Sequence, residues 1–570
     1  MGSWTNLVPA IGQVRTYQRA WLGKDVAAGL VITGLLAPAG VAYAVAAGLP
    51  PATGLYATIV PLFAYAIFGP SRIMVMGPDS SLTPLIAAAV VPLATLDPDQ
   101  AVAVASAVAV MAGLICIAAG LARFGFIAEL LSAPVRLGYL HGIAVTIIVA
   151  QSAKLCGFSV RGESLDSQLR QFVRGLRDDK LNGWALGVGL AAVALIVILR
   201  WLAPRVPATL LAVVVGIVLA IAIGLDRKGV PLVGDLPRGL PSPSLPDVSW
   251  ATIRTLVGAS LGVAFVAFAD TGVLSRTMAL RRHEPVDANH ELVALGVANM
   301  ASGLFHGFPI SASNSRTPVA EAAGSRTQMT GVVAAVALLV ITVAAPATFR
   351  HLPDASLAAI VIAAAISLID IPALVRLFKV RRSEFVLAIS AMLAVAVLGP
   401  VSGVVVAVAL SILNFLRLAW KPHTAELVRV DGLKGYHDRG RHPEGKVVPG
   451  LLLYRFDAPL FFANAHYFSE DLTRRVAGQG APVQCVILTA EPVTDIDTTA
   501  ADALADTVRD LRAQGIEFRF AELKGTIRER LDRYGVFHDN TPDASARTIG
   551  EAVKQYLRDF PADYVDWEDH

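Results

Sequence analysis

Long apolar runs separated by short polar connections fill roughly the first 420 residues of the chain. Fourteen such runs can be counted, at about 26–46, 53–68, 80–93, 101–121, 128–153, 183–202, 207–225, 256–280, 288–305, 313–323, 329–348, 355–369, 385–398 and 402–419. A helix needs about 20 apolar residues to cross a bilayer, and most of the runs lie near that length. The pattern predicts an α-helical polytopic membrane protein with fourteen transmembrane segments.

Two of the runs, 80–93 and 313–323, are too short for a simple spanning helix. Both follow text rich in glycine, proline and serine, GPSRIMVMGPDSS in the first case and FHGFPISASNS in the second. Each short run is the third in its set of seven. Interrupted segments at matching positions of two halves point to a substrate site near the membrane midplane, as in transporters with inverted repeats.

The second interrupted segment contains an arginine, Arg316. Placing an arginine at the centre of a membrane span costs about 2.5–3.5 kcal/mol, so a compensating negative charge is expected. Ser313, Asn314 and Ser315 precede it and are residue types that start helices. A half-helix beginning there would direct its N–H groups and a guanidinium at one point, which predicts an anion site.

Composition agrees with a membrane protein and excludes several other classes. Hydrophobic residues make up 55% of the chain and charged residues 16%, against about 25% in soluble proteins, and the mean hydropathy is +0.59. The three cysteines are scattered and fit neither a disulfide framework nor a metal site. A net charge of +3 without a basic aromatic patch gives no indication of nucleic-acid binding. No phosphate-binding loop, dinucleotide fingerprint or nucleophile elbow is present in the sequence, so we expect neither an enzyme nor a cofactor.

The distribution of lysine and arginine predicts that both termini are cytoplasmic. One loop, 154–180, disagrees because it would be extracellular and carries Arg161, Arg170, Arg174 and Arg177. Acidic residues in the same loop partly offset these charges, and longer loops determine topology less strongly than short ones. We therefore expect a multi-pass protein of the plasma membrane.

The pattern changes after Trp420. Residues 421–447 are polar and contain several glycines, which predicts a linker. From 448 to 560, strand-like runs such as VQCVILTA alternate with amphipathic stretches such as AADALADTVRDLRAQG. This alternation predicts a small cytoplasmic α/β domain, followed by a tail at 561–570.

Three stretches of the sequence resemble the sulfate permease (SulP) family of anion transporters, which carry a C-terminal STAS domain. They are AGLVITGLLAPAGVAYAVAAGLPPATGLYATIVP with GPDSSLTPLI, then SRTPVAEAAGSRTQMTG, and finally YRFDAPLFFANAHYFSEDL with VTDIDTTAADAL. The resemblance implies a uracil-permease-like fold of two inverted repeats of seven segments, divided into a core and a gate domain. It also implies a substrate site between the third and tenth half-helices, and a homodimer.

The resemblance assigns roles to individual residues. Ser315 and Arg316 match the anion-binding start of the tenth helix, and residues 77–81, with Asp79, Ser80 and Ser81, match the start of the third. Asp270 matches an acidic residue on the eighth helix, and we expect Asp79 or Asp270 to couple transport to protons.

Two positions differ from many family members. Ala39 follows Pro38 where a glutamine is usual, and Asp79 replaces a small uncharged residue. The first difference removes an expected polar contact and leaves the substrate open.

Alternative roles exist for each of these residues. Arg316 could tie a broken helix to backbone carbonyls, Asp270 could be a buried carboxylate neutralised by Arg276 or a hydroxyl, and Asp79 could cap its half-helix. In the soluble domain, Thr498 either occupies a position that resembles a phosphorylation site of anti-sigma antagonists or belongs to a helix-capping loop.

The function predicted from the sequence is secondary active transport of a small inorganic or carboxylate anion, with proton-coupled sulfate uptake as the leading form. Bicarbonate or C4-dicarboxylate transport, coupled to protons or sodium, is the alternative within this class. A passive anion channel or exchanger also stays open. A sensor whose membrane part only anchors the soluble domain is disfavoured, because an anchor does not need two interrupted polar segments.

Overall fold

The structure is a computed structural model that describes residues 8–93, 97–126, 132–160, 164–203, 207–313, 315–536 and 545–564. The chain separates into two compact units, Met1–Ile412 and Leu413–His570. The first unit is helical and the second is a mixed α/β structure.

The first unit and the helix that leads out of it contain two short strands and seventeen α-helices among the described residues. In chain order they are α1 (Pro9–Arg15), α2 (Leu22–Ala46), α3 (Pro51–Phe68), β1 (Met76–Gly77), α4 (Thr83–Val90), α5 (Pro98–Leu121), α6 (Ala133–Leu155), α7 (Leu165–Arg177), α8 (Gly183–Leu202), α9 (Ala208–Ile223), α10 (Trp250–Arg282), α11 (Ala288–Leu304), β2 (Ser311–Ala312), α12 (Arg316–Ala322), α13 (Met329–Ala344), α14 (Asp354–Ile366), α15 (Ile371–Val380), α16 (Arg382–Leu398) and α17 (Pro400–Trp420).

Each of the fourteen predicted apolar runs overlaps one of these helices. Within the described ranges, eight helical stretches are long and apolar enough to cross a membrane, and α9 and α13 are shorter apolar helices. The prediction of a polytopic helical membrane protein is confirmed, whereas the count of fourteen crossings stays a prediction.

The helices of the first unit form two groups. In the first group, α2, α3 and α13 pack together, and α11 packs against α3 and α5. In the second group, α6 packs against α14 and α16, and α8 packs against α9 and α14. Glycines permit close approach where helices cross. A Cβ added at Gly296 of α11 would lie 2.6 Å from the Gly113 carbonyl oxygen of α5, which no side chain tolerates without movement.

The two interrupted segments meet at a two-stranded antiparallel pairing. Met76 pairs with Ala312 and Gly77 pairs with Ser311. Both strands are buried, and each is followed within a few residues by a short helix, α4 or α12. The antiparallel direction is the one expected when the two segments belong to inverted halves.

The second unit contains one six-stranded sheet with helices on both faces. Its elements are β3 (Thr424–Arg429), β4 (Tyr436–Asp438), β5 (Leu451–Phe456), α18 (Ala465–Ala477), β6 (Cys485–Thr489), α19 (Thr498–Ala513), β7 (Glu517–Ala521), α20 (Gly525–Arg533), β8 (Ser545–Ala546) and α21 (Ile549–Asp559). The strand order is β4-β3-β5-β6-β7-β8, with β5 to β8 parallel and β3 antiparallel to both of its neighbours. The predicted α/β domain is confirmed.

The predicted linker 421–447 is wrong as a description of this segment. It contains β3 and β4, which form a hairpin on the sheet, with Gly432 and Gly435 at positive φ in the connection. Leu427 and Val428 are buried in this hairpin. The segment is polar and rich in glycine, so its sequence did not indicate a strand. A strand this short needs only a few apolar residues to pack onto the sheet. The predicted tail 561–570 lies mostly outside the described residues.

Side-chain contacts also join β3 to the rest of the sheet domain. Arg475 of α18 donates to Thr424 Oγ1 (2.8 Å) and to Asp471 Oδ2 (2.9 Å). Burial acts to raise the pKa of the Asp471 carboxyl, but hydrogen bonds from Arg475, Thr424 and Tyr454 outweigh it and hold that pKa below its ordinary value. Segment 424–429 is therefore an integral part of the domain.

Candidate anion site

The starts of α4 and α12 are brought together by the β1–β2 pairing and by bonds around it. The Ser313 amide donates to the Val75 carbonyl (3.1 Å), and the Val75 amide donates to Thr317 Oγ1 (3.1 Å). The Asn299 side chain of α11 bonds both the amide and the carbonyl of Ile310, at 2.9 and 3.1 Å. These bonds satisfy non-helical backbone at membrane depth, which is tolerated only inside protein or beside a cavity.

Arg316 lies at this junction with 6% of its side chain exposed. Its Nη2 donates to the Pro78 carbonyl and lies 3.7 Å from Asp79 Oδ1. Within the described part of the chain, Nε and Nη1 have no hydrogen-bond partner. Binding to a backbone carbonyl, the structural alternative for this arginine, therefore accounts for only part of the guanidinium, because two donor groups are left for another ligand.

Asp79, Ser81 and Asp270 form a short chain of polar groups. Ser81 Oγ lies 2.6 Å from Asp270 Oδ2 and 3.1 Å from Asp79 Oδ2, and the Ser81 amide also donates to Asp79 Oδ2 (3.2 Å). Asp79 therefore bonds the turn that precedes α4 and also faces Arg316. The side chain of Asp270, on α10, thus lies next to the turn that precedes α4.

The remaining predicted site residues differ in position. Ser80 is buried in the turn before α4, and Tyr43 of α2, which the sequence analysis missed, lies close to Ser80, Asp79 and Arg316. Ser315 is exposed and its Oγ is 3.2 Å from Ser313 Oγ. Asn314 lies outside the described residues.

Two buried carboxylates that the sequence analysis missed have structural partners. Asp25 of α2 accepts hydrogen bonds from the Arg326 amide (2.7 Å), Thr327 Oγ1 (2.7 Å) and Thr330 Oγ1 (3.1 Å). Glu291 of α11 accepts from Tyr65 (2.8 Å) and from Ser71. The available signal was a carboxylate directly before an apolar run for Asp25 and inside one for Glu291. In the described residues, no group of three or more His, Cys, Asp or Glu is placed to hold a metal ion.

Two interrupted segments that pair antiparallel, with a buried arginine beside the pairing and a bundle of apolar helices around it, are typical of a membrane transporter. Comparison with known sequences identifies the family. Residues 22–391 match the sulfate permease family and residues 442–552 match the STAS domain. The chain belongs to the sulfate permease family, whose members are transporters and not enzymes.

Similar proteins align with most of the chain. A probable sulfate transporter of Mycobacterium tuberculosis is 40% identical over 550 residues, covering 96% of this chain and 98% of that protein. The human solute carrier family 26 member 6 is 32% identical over 487 residues, covering 80% of this chain and 63% of that protein.

Solved structures show the same fold. The murine solute carrier 26 family member A9, an anion transporter in the inward-facing state, matches with a TM-score of 0.88 at 21% identity, covering 97% of this chain and 94% of that chain. The transmembrane domain of the cyanobacterial bicarbonate transporter BicA matches with a TM-score of 0.60 at 23% identity, covering 70% of this chain and 98% of that domain. At these identities the likeness establishes the fold alone.

Proposed function

We propose that this protein is a secondary active transporter that takes up sulfate together with protons across the plasma membrane. The observation that carries the proposal is the buried Arg316 guanidinium, whose Nε and Nη1 have no hydrogen-bond partner among the described residues. A buried cation with unused donors is costly unless a ligand occupies it. These two groups lie on different edges of the planar guanidinium, and each of them can donate a hydrogen bond to an oxygen of a bound anion.

The substrate-binding residues in this proposal are Asp79, Ser80, Ser81, Ser315 and Arg316. Arg316 supplies the charge and the serines supply neutral donors. Asp79 lies 3.7 Å from Arg316 Nη2 and repels an anion while it is ionised. An anion therefore binds more favourably when this carboxylate carries a proton, and by reciprocity the anion favours the proton.

Ser81 supports a role for Asp270 in the same coupling. One hydroxyl has one proton, yet Ser81 Oγ lies within hydrogen-bond distance of carboxylate oxygens of both Asp79 and Asp270. With a proton on Asp270, that carboxyl donates to Ser81 Oγ and Ser81 donates to Asp79, so every contact is satisfied. The arrangement forms a path along which a proton can pass between the two carboxylates.

The names of relatives favour sulfate, since the mycobacterial protein and several plant proteins are named as sulfate transporters. We further propose that both termini and the STAS domain are cytoplasmic, that the protein is a homodimer, and that residues up to 420 form the transport domain. The STAS domain, extended to Thr424 to include β3, would then adjust transport without contributing to the anion site.

Uptake into proteoliposomes tests the proposal. Radiolabelled sulfate should accumulate against its gradient when the outside is more acidic than the lumen, and unlabelled sulfate should compete better than bicarbonate, fumarate or chloride. Accumulation driven by sodium, or stronger competition by bicarbonate or fumarate, would contradict the proton-coupled sulfate assignment. Flux that only dissipates gradients would indicate a passive channel or an exchanger instead.

A further inference from the structure

A cavity of about 490 Å³ lies away from the anion site, between the ends of several helices. Four of its lining residues carry the argument and come from four helices, namely Val45, Thr83, Lys154 and Asp354. In the predicted orientation, α2 and α6 end and α14 begins on the extracellular side, so the cavity faces outward.

The cavity and the anion site share a half-helix. Thr83, the first residue of α4, lines the cavity and donates from Oγ1 to the Asp79 carbonyl (2.9 Å). The eight residues of α4 extend over about 12 Å at 1.5 Å per residue. An anion in the cavity is therefore within about one half-helix length of Asp79 and Arg316.

Among the described residues that line this cavity, Lys154 is the one with a cationic side chain. It lies in the last turn of α6, and its Nζ donates to the Val45 carbonyl at 2.6 Å. That carbonyl lies in the last turn of α2 and also accepts from the Gly48 amide (3.2 Å). Since α2 belongs to the first helix group and α6 to the second, the lysine forms a polar connection between the two groups.

We propose that this cavity is a second anion site on the extracellular side, in which Lys154 binds the arriving anion before it reaches Arg316. The proposal rests on the proposed function. A hydrogen bond between two ionised groups is stronger than one to a neutral carbonyl, so an anion competes with Val45 for the ammonium. The flexible lysine stem lets Nζ turn to the anion, which also releases the contact between the helix groups.

Asp354 gives the proposal a second, opposite prediction. This carboxylate begins α14 and lines the same cavity, so its negative charge repels an anion there and attracts Lys154. Removing the charge should strengthen anion binding at the outer site, whereas a general loss of packing would only weaken transport.

The test is the sidedness of KM for radiolabelled sulfate in oriented vesicles. Lys154→Gln should raise the KM for sulfate from the extracellular face about tenfold or more, the effect expected from losing a hydrogen bond to a charged group. The KM from the cytoplasmic face should change less than about twofold, and Lys154→Arg should retain the extracellular KM within about threefold. Asp354→Asn should lower the extracellular KM about two- to fivefold. Lys180→Gln is the matched control, since Lys180 pairs with Asp178 (3.5 Å) and 59% of its side chain is exposed.

The outcomes separate this inference from the proposed function. An unchanged extracellular KM in Lys154→Gln, or an equal rise on both faces, would overturn the outer site while the effect of Arg316→Ala still decides the proposed function. If Lys154→Gln fails to fold, the sign of the Asp354→Asn effect decides, because an unchanged or raised KM contradicts the proposal. Full sulfate uptake by Arg316→Ala would refute the proposed function independently.

Discussion

The tripeptide Ser-Arg-Thr occurs twice within one short stretch, at 315–317 and at 325–327, and the two copies have opposite surroundings. In the first copy Arg316 is buried with two donor groups unbonded among the described residues, and Ser315 is exposed. In the second copy the arginine side chain is exposed and Ser325 is buried.

The two threonines show what each copy does. Thr317 Oγ1 accepts from the Val75 amide and so joins the two interrupted segments at the candidate anion site. Thr327 Oγ1 donates to Asp25 and accepts from the Met329 amide, which joins the start of α13 to α2. The same three residue types thus belong to the candidate anion site in one place and to a structural joint in the other, and the backbone that surrounds each copy makes the difference.

The largest effect, a loss of sulfate affinity, is expected when Arg316 of the first copy is replaced. Arg316→Ala should weaken sulfate binding by about 100-fold or more, because losing a buried, doubly bonded charge costs about 3 kcal/mol or more. Arg316→Lys should recover only part of the affinity, since an ammonium cannot place two fixed donors. Binding is measured on purified protein by calorimetry. Sulfate affinity in Arg316→Ala close to the wild-type value would show that the two copies do not differ in function.

Disrupting the contacts of the second Ser-Arg-Thr copy should lower folding stability and leave sulfate affinity nearly unchanged. Asp25→Ala removes the acceptor of several buried donors, and we expect a loss of about 3–5 kcal/mol in folding stability. Thermal denaturation in detergent should show a clearly lower Tm. Protein that remains folded should bind sulfate within about threefold of wild type, a margin of less than 1 kcal/mol. A large loss of affinity at unchanged Tm would place Asp25 in the anion site instead.

The carboxylates beside the first copy should set the response to pH. Uptake by the wild-type protein should rise as external pH falls, because a proton on Asp79 or Asp270 relieves repulsion of the anion. Asp79→Asn and Asp270→Asn mimic the protonated side chains, so at least one of them should flatten the pH profile. Wild-type pH profiles in both variants would exclude these residues as the coupling groups.

The smallest effect is expected from the second arginine. Arg326→Ala removes an exposed side chain but keeps the backbone amide that bonds Asp25 at 2.7 Å. Sulfate affinity should stay within about twofold and stability within about 0.5 kcal/mol, as for most surface substitutions. This variant is the matched control for Arg316→Ala, and comparable losses in the two would contradict the contrast drawn between them.

Prediction from the sequence succeeded where a feature depends on local pattern. The apolar runs, the two interruptions and the resemblance around Arg316 were visible along the chain, because membrane helices and broken segments leave local signals. The partners of Arg316 could not be predicted in the same way. Pro78 and Asp79 are more than 230 residues away in sequence, and the β1–β2 pairing that brings them close is only two residues long.

Asp25 and β3 were missed for a related reason. The role of Asp25 depends on donors about 300 residues away, and β3 gains its order from neighbouring strands more than from its own composition. Both are determined by tertiary contacts, for which a single sequence carries little signal.

The β1–β2 pairing has a mechanical consequence. Four residues from the two interrupted segments share backbone hydrogen bonds, so the two sides of the candidate anion site cannot separate without breaking this pairing. We therefore expect the two segments to move together as a rigid unit and not to open apart from each other. If the protein transports an anion as proposed, we expect both segments, with the anion between them, to move as one unit relative to the second helix group.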